Sequence, residues 1–253
     1  RLPADPARLS SVRRAVAAWT AAAGMPADTA EDLQLALGEA LANAVEHAYA
    51  ASGTGECTYR VARQADGGVS VEVCDTGMWR PPPEDRGHRG RGLELIDALA
   101  TDVEVVHVPG TPGTTVRFRM PAAVPEPDAL PQRGILHPAG DGGAALLAVH
   151  DEPGGLRLEI HGEVDLATAG KVREQLLARL DQLPAGTVAT LDLRPTGYLA
   201  SAGVGMVLEA LARAGEVGVE LRVRSEQGTS PARILSLAGV GEPAPGVPVA
   251  RPT

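Results

Sequence analysis

The chain has 253 residues, enough for two domains of ordinary size. Hydrophobic residues make up 44% but aromatics only 2%, so its cores are built from Ala, Leu and Val, and no run approaches the ~18–20 consecutive apolar residues of a membrane span. A net charge of −9 excludes nucleic acid held directly on a broad basic surface, which needs clustered Lys and Arg, while leaving a basic protein partner open.

In chain order, the first residue is Arg1 rather than Met, as expected of either a fragment or a trimmed chain, and nothing that follows reads as a signal peptide. The Ala-rich stretch Ala4 to Ala23 is predicted helical. Thr29 or Asp28 is placed to cap a second helix carrying DLQLALGEALANAVEHAYA. Thr58–Arg63 and Val69–Asp75 alternate around Asp66-Gly67-Gly68, the pattern of a hairpin. Gly92–Ala100 is a short helix, and Val103–Val108 and Thr114–Arg119 are strands split by a Pro-Gly turn. Helices grouped against an antiparallel sheet make an α+β sandwich. Cys57 and Cys74 form no metal spacing and no disulfide framework; they are expected as buried thiols on neighbouring strands, in a reduced cytoplasmic setting.

Residues 121–143, PAAVPEPDALPQRGILHPAGDGG, repeat Pro and Gly without apolar periodicity and read as a linker. Beyond it, Ala145–Val149 and Leu156–His161 flank Glu152-Pro153-Gly154-Gly155 as strands, Ala167–Leu183 has a helical pattern, and Val188–Leu193 is a near-continuous apolar strand. A helix from about Ala202, a strand Glu220–Arg224 and a helix Pro231–Leu237 complete the order. Strands alternating with helices imply a mostly parallel sheet. The expected division is therefore 1–120, the linker 121–143, and 144–253.

Four features of the first half bear on chemistry. Glu39 and Asn43 lie four residues apart on one helix face. An Asn oxygen can ligate Mg²⁺ and a carboxylate one turn away can accept a hydroxyl proton, although a solvated polar face has the same spacing. Val71–Asp75 is a strand ending in a carboxylate, followed by Gly77, which suits hydrogen bonding to an adenine amino group or an ordinary turn. Gly87-His88-Arg89-Gly90-Arg91-Gly92 feeds a helix N-terminus, where backbone N–H groups can face phosphate. It is neither a P-loop nor a dinucleotide fingerprint. Finally, Gly113-Thr114-Thr115 enters the last strand, and either Thr114 or Thr115 is placed to support Asp75 through its hydroxyl.

In that order and spacing, Glu39…Asn43, Asp75-x-Gly77, Gly90-x-Gly92 and Gly113-Thr114-Thr115 resemble the GHKL ATPase superfamily over residues 1–120. The compact form, without a phospho-accepting His helix, looks like the anti-sigma-factor serine kinases. That resemblance implies ATP or ADP and Mg²⁺ as ligands, with Glu39 as base, Asn43 holding the metal and Asp75 reading adenine. It implies Gly77, Gly90, Gly92, Gly113, Thr114 and Thr115 around the nucleotide, a sigma factor as partner, and a homodimer through this domain. Arg86, Arg89 and Arg91 either reach phosphate or are solvated.

The second half resembles a STAS domain, the fold of anti-sigma-factor antagonists, through Gly162-Glu163-Val164-Asp165-Leu166, Leu191-Asp192-Leu193 and Ser201-x-Gly203. The resemblance makes Ser201 the phosphoacceptor, although Ser at a helix start is also a plain cap. Ala200 stands where the family has Asp, which bears on phosphorylation. The expected function is a sigma-factor regulator whose Mg-ATP-dependent kinase domain acts on a STAS antagonist protein or on its own STAS domain. A non-catalytic ATP-binding scaffold with the STAS domain as tethered inhibitor is the alternative, and ATP hydrolysis in the gyrase or MutL manner is a third reading.

Overall fold

In the computed structural model, residues 1–48, 55–77, 91–122, 145–152 and 155–240 are described. The linker, apart from Pro121 and Ala122, lies outside them, as do Arg86, Arg89 and Gly90.

The chain opens with β1 (Leu2–Pro3), a pairing too short to leave a sequence pattern. Asp5 then accepts the Ala7 N–H at 2.9 Å and Pro6 sets the next turn, so residues 6–8 form a 3₁₀ turn. This delays α1 (Leu9–Ala22) by five residues from the predicted start at Ala4. Leu9, Val12, Val16 and Thr20 make its buried stripe, and Arg13 is buried with them. The second helix, α2 (Ala27–Ala48), begins before both candidate caps, so Asp28 and Thr29 fall within its first turn. Residues 35–41 of α2 are all buried, so its middle is covered on every side.

Strands β2 (Glu56–Arg63) and β3 (Val69–Asp75) form the predicted hairpin, with Asp66 accepting the Gly68 N–H and Gly67 at φ +86°. Then come α3 (Gly92–Leu99), β4 (Thr101–His107) and β5 (Thr114–Met120). The sheet order is β1-β2-β3-β5-β4, antiparallel throughout. Its buried face carries Val69, Val71, Val73, Val116, Phe118 and Met120 beneath α2, an α+β sandwich. Cys57 and Cys74 do lie on neighbouring strands, but Cys57 pairs with Asp75 and Cys74 with Thr58. Successive residues face opposite ways, so the two thiols point to opposite faces, and both are free.

The second sheet is built from β6 (Leu146–Glu152), β7 (Gly155–Val164), β8 (Val188–Asp192), β9 (Thr196–Leu199) and β10 (Glu220–Arg224). Its order is β10-β8-β7-β6, with β9 on the far end of β7. All pairings are parallel except β6 with β7. The helices are α4 (Ala169–Asp181), α5 (Ser201–Val217) and α6 (Ser230–Leu237). Val172, Leu176 and Leu180 of α4 are fully buried one turn apart. Strand β9 was not predicted: Pro195-Thr196-Gly197 has turn composition, yet Thr196 donates its hydroxyl to the Ile160 carbonyl at 2.8 Å and the chain pairs along β7.

Candidate active site

The helix α2 presents Glu39 and Asn43 one turn apart, and the first residue of α3, Gly92, packs against both. A Cβ at Gly92 would stand 2.9 Å from Glu39 Oε2 and 3.1 Å from Asn43 Oδ1. A side chain is therefore excluded where α3 offers its first N–H groups. Asn43 Nδ2 is buried without a hydrogen-bond partner, an orphaned polar atom at the same spot.

A second group gathers at the end of β3. The Asp75 carboxylate accepts the N–H of Gly77 at 2.9 Å and a backbone bond from Thr114, its cross-strand partner. Burial pushes this carboxyl above the ordinary aspartate value, and the two N–H donors oppose the shift. The Gly77 carbonyl accepts the Gly113 N–H at 2.7 Å, and Gly113 sits at φ +113°, a conformation suited to glycine. Thr115 faces the other way and donates its hydroxyl to Cys74 Sγ at 3.4 Å. Neither threonine is seen to support Asp75 through its hydroxyl as expected: Thr114 stands opposite Asp75 and gives it a backbone N–H, and Thr115 faces away.

Ser201 belongs to the other half of the chain, yet it completes the first group. Its hydroxyl donates to Glu39 Oε2 at 2.5 Å and its backbone N–H to Oε1 at 2.7 Å. Ala200 is the buried N-cap position of α5 and supplies no side-chain bond, so a carboxylate from across the junction satisfies the helix's first N–H. Glu39 is 1% exposed. Burial raises its pKa above the usual glutamate range; the Ser201 O–H and N–H oppose this, as Arg13 does, while Glu46 adds to it.

Further polar contacts join the two halves. Arg13 of α1 donates to Glu163 and Asp165 of the second half, each at 2.5 Å, and lies 4.3 Å from the centroid of the Tyr198 ring. Asp165 turns its other oxygen to the N–H groups of Ala167 and Thr168, holding the turn into α4. Asp32 of α2 pairs with Arg233 of α6 at 2.9 Å, and Arg91, just before α3, reaches the Ala238 carbonyl at 3.4 Å. Among the described residues, no cluster of three or more His, Cys, Asp or Glu is placed to hold a metal ion.

Comparison with known proteins places both halves. The histidine kinase-like ATPase domain family matches residues 2–120, and the Mlab, STAS domain family matches residues 147–247. The serine-protein kinase RsbW of Listeria monocytogenes is 30% identical over 125 residues, covering 44% of this chain and 79% of that kinase. The chain belongs to the RsbW serine-protein kinase family. The RsbW of Bacillus licheniformis is 32% identical over 117 residues, 41% of this chain and 73% of its own. Among solved structures, the RsbU and RsbW domains of Rv1364c from Mycobacterium tuberculosis match 49% of this chain and 32% of theirs, at 29% identity and a TM-score of 0.40. Unphosphorylated SpoIIAA, an anti-sigma factor antagonist, matches 38% of this chain and 83% of its own at 18% identity, with a TM-score of 0.33.

In this RsbW-type chain the first domain supplies Glu39, Asn43 and Gly92 to one group and Asp75, Gly77, Gly113 and Thr114 to another, and the STAS domain brings Ser201 to the first. Arg13 and Tyr198 escaped the sequence reading. For Arg13 a signal existed: it sits beside Val12 and between Leu9 and Val16 on the apolar stripe of α1, where a charge needs a buried partner.

Proposed function

We propose that the chain is an Mg-ATP-dependent serine kinase of the anti-sigma type that phosphorylates Ser201 of its own STAS domain. The observation that carries this reading is the 2.5 Å contact between Ser201 Oγ, at the start of α5, and Glu39 Oε2 of α2. Glu39 can take the hydroxyl proton, and the Ser201 N–H on its other oxygen fixes the angle between base and acceptor. Burial by the STAS domain keeps water, the competing acceptor, away from the carboxylate.

The residues fit a nucleotide. The orphaned Asn43 Nδ2, a donor, and the side-chain-free approach at Gly92 suit phosphate oxygens, Asn43 Oδ1 would be the ligand to the metal, and the half-buried Asp75 suits an adenine amino group. When bound, Mg-ATP supplies the γ-phosphoryl group, which bonds to Ser201 Oγ as its bond to the β-phosphate oxygen breaks and ADP leaves. A phosphoserine would set its added charge against buried Glu39, which favours separation of the domains. The docked STAS domain also covers α2, so we infer that a sigma factor and the STAS domain compete for this face in the cytoplasm.

The test is intact-mass spectrometry after incubation with Mg-ATP. One added phosphate, absent from Ser201→Ala, supports the kinase reading. Bound ATP with no added phosphate would favour the scaffold reading, which the bare Ala200 cap position supports.

A further inference from the structure

Gly38 lies in the middle of α2, where glycine is costly: Ala there would favour the helix by a factor of roughly two to five. No positive φ at Gly38 demands it. What demands it is the STAS domain. A Cβ at Gly38 would overlap the Tyr198 hydroxyl. The phenol has little room to yield. Tyr198 is held in β9, paired with Glu163 of β7, and its ring is covered by the Arg13 guanidinium. The hydroxyl therefore seats on the bare helix backbone directly before Glu39, three residues before the serine that Glu39 contacts.

We propose that Gly38 and Tyr198 form a steric key that selects which STAS domain can bring its serine to Glu39. The first domain admits a STAS partner carrying a phenol three residues before the acceptor serine because the residue preceding Glu39 has no side chain. A Cβ at that place rejects such a partner and still admits one with a shorter aromatic ring. The inference rests on the docked arrangement proposed above, and it names the residue pair that gives that arrangement its selectivity.

The readout is the Ser201 amide in the intact chain. As the first N–H of α5 it has no partner within its own helix, so its protection from hydrogen exchange, measured by NMR, reports docking on Glu39. Gly38→Ala is expected to lower that protection roughly five- to a hundredfold, the range for overpacking a close contact. In the Tyr198→Phe background, where the overlap is gone, the same substitution should raise the Tm, so a folding defect has the opposite sign. Tyr198→Phe in the same chain should restore protection to within a few-fold of wild type, and Ser201 phosphorylation with it. Unchanged protection in Gly38→Ala would overturn the key, as would a loss that Tyr198→Phe does not repair. An unprotected Ser201 amide in the wild-type chain would instead remove the docked arrangement itself.

Discussion

Arg13 should be the strongest single contributor to docking, and Arg13→Ala measures it. The guanidinium is 6% exposed and bridges Glu163 and Asp165, whose side chains are 15% and 5% exposed. Truncation leaves both carboxylates in the closed junction without a cation. Removing one partner from such a pair costs about 3–5 kcal/mol, and the lost ring contact with Tyr198 adds up to ~1 kcal/mol. Separation of the domains relieves the two carboxylates by returning them to water, so the lower figure applies. About 3 kcal/mol lowers the docking equilibrium roughly 150-fold. The STAS fold should persist, because Asp165 still accepts the Ala167 and Thr168 amides. Arg13→Lys keeps the charge but loses the planar fork and should fall in between. The assay is Ser201 amide protection in the intact chain. Protection in Arg13→Ala within threefold of wild type would refute the reasoning.

The pH dependences of transfer and docking should run in opposite directions. Glu39 is raised above the ordinary glutamate value of about 4.3 by burial in the docked form, so its contribution to docking is fullest below that value and is lost as pH rises through the raised one. Proton acceptance needs the ionised form, so single-turnover transfer should fall with acidification in the same window; parallel declines would count against Glu39 in either role. Gly92→Ala places a methyl 2.9 Å from Glu39 Oε2 at a helical position that tolerates Ala, so transfer should drop roughly five- to 150-fold, from about 1–3 kcal/mol of crowding, with little change in Tm; an unchanged rate argues against this site. The first domain cut free within 121–143 should bind a sigma factor more tightly than the intact chain in titration calorimetry. Equal affinities would show that the docked STAS domain does not occupy the sigma-binding face.

Much of this was legible in the sequence for physical reasons. Glu220–Arg224 emerges as β10 with its predicted bounds, and the hairpin around Asp66-Gly67-Gly68 follows from turn chemistry and alternation. Glu39 and Asn43 share a face because helical spacing is local information. What stayed hidden depends on long-range pairing. Thr196–Leu199 becomes a strand only because β7 offers its far end. Thr114 and Thr115 cannot be told apart until the β3–β5 register sets which one faces Asp75. Gly38 reads as an ordinary helix position until Tyr198 arrives from 160 residues away, and the Glu39–Ser201 contact spans a separation of 162.

The central claim is that Ser201 and Glu39 meet within one chain. The direct measurement is the rate of phosphate incorporation at Ser201, located by peptide mass spectrometry, over a hundredfold dilution of the chain in saturating Mg-ATP. The account predicts a first-order rate constant independent of concentration, with Glu39→Gln and Ser201→Ala chains both inactive alone and failing to complement when mixed dilute. A rate that falls in proportion to dilution, full complementation in that mixture, or no phosphate on Ser201 would contradict it.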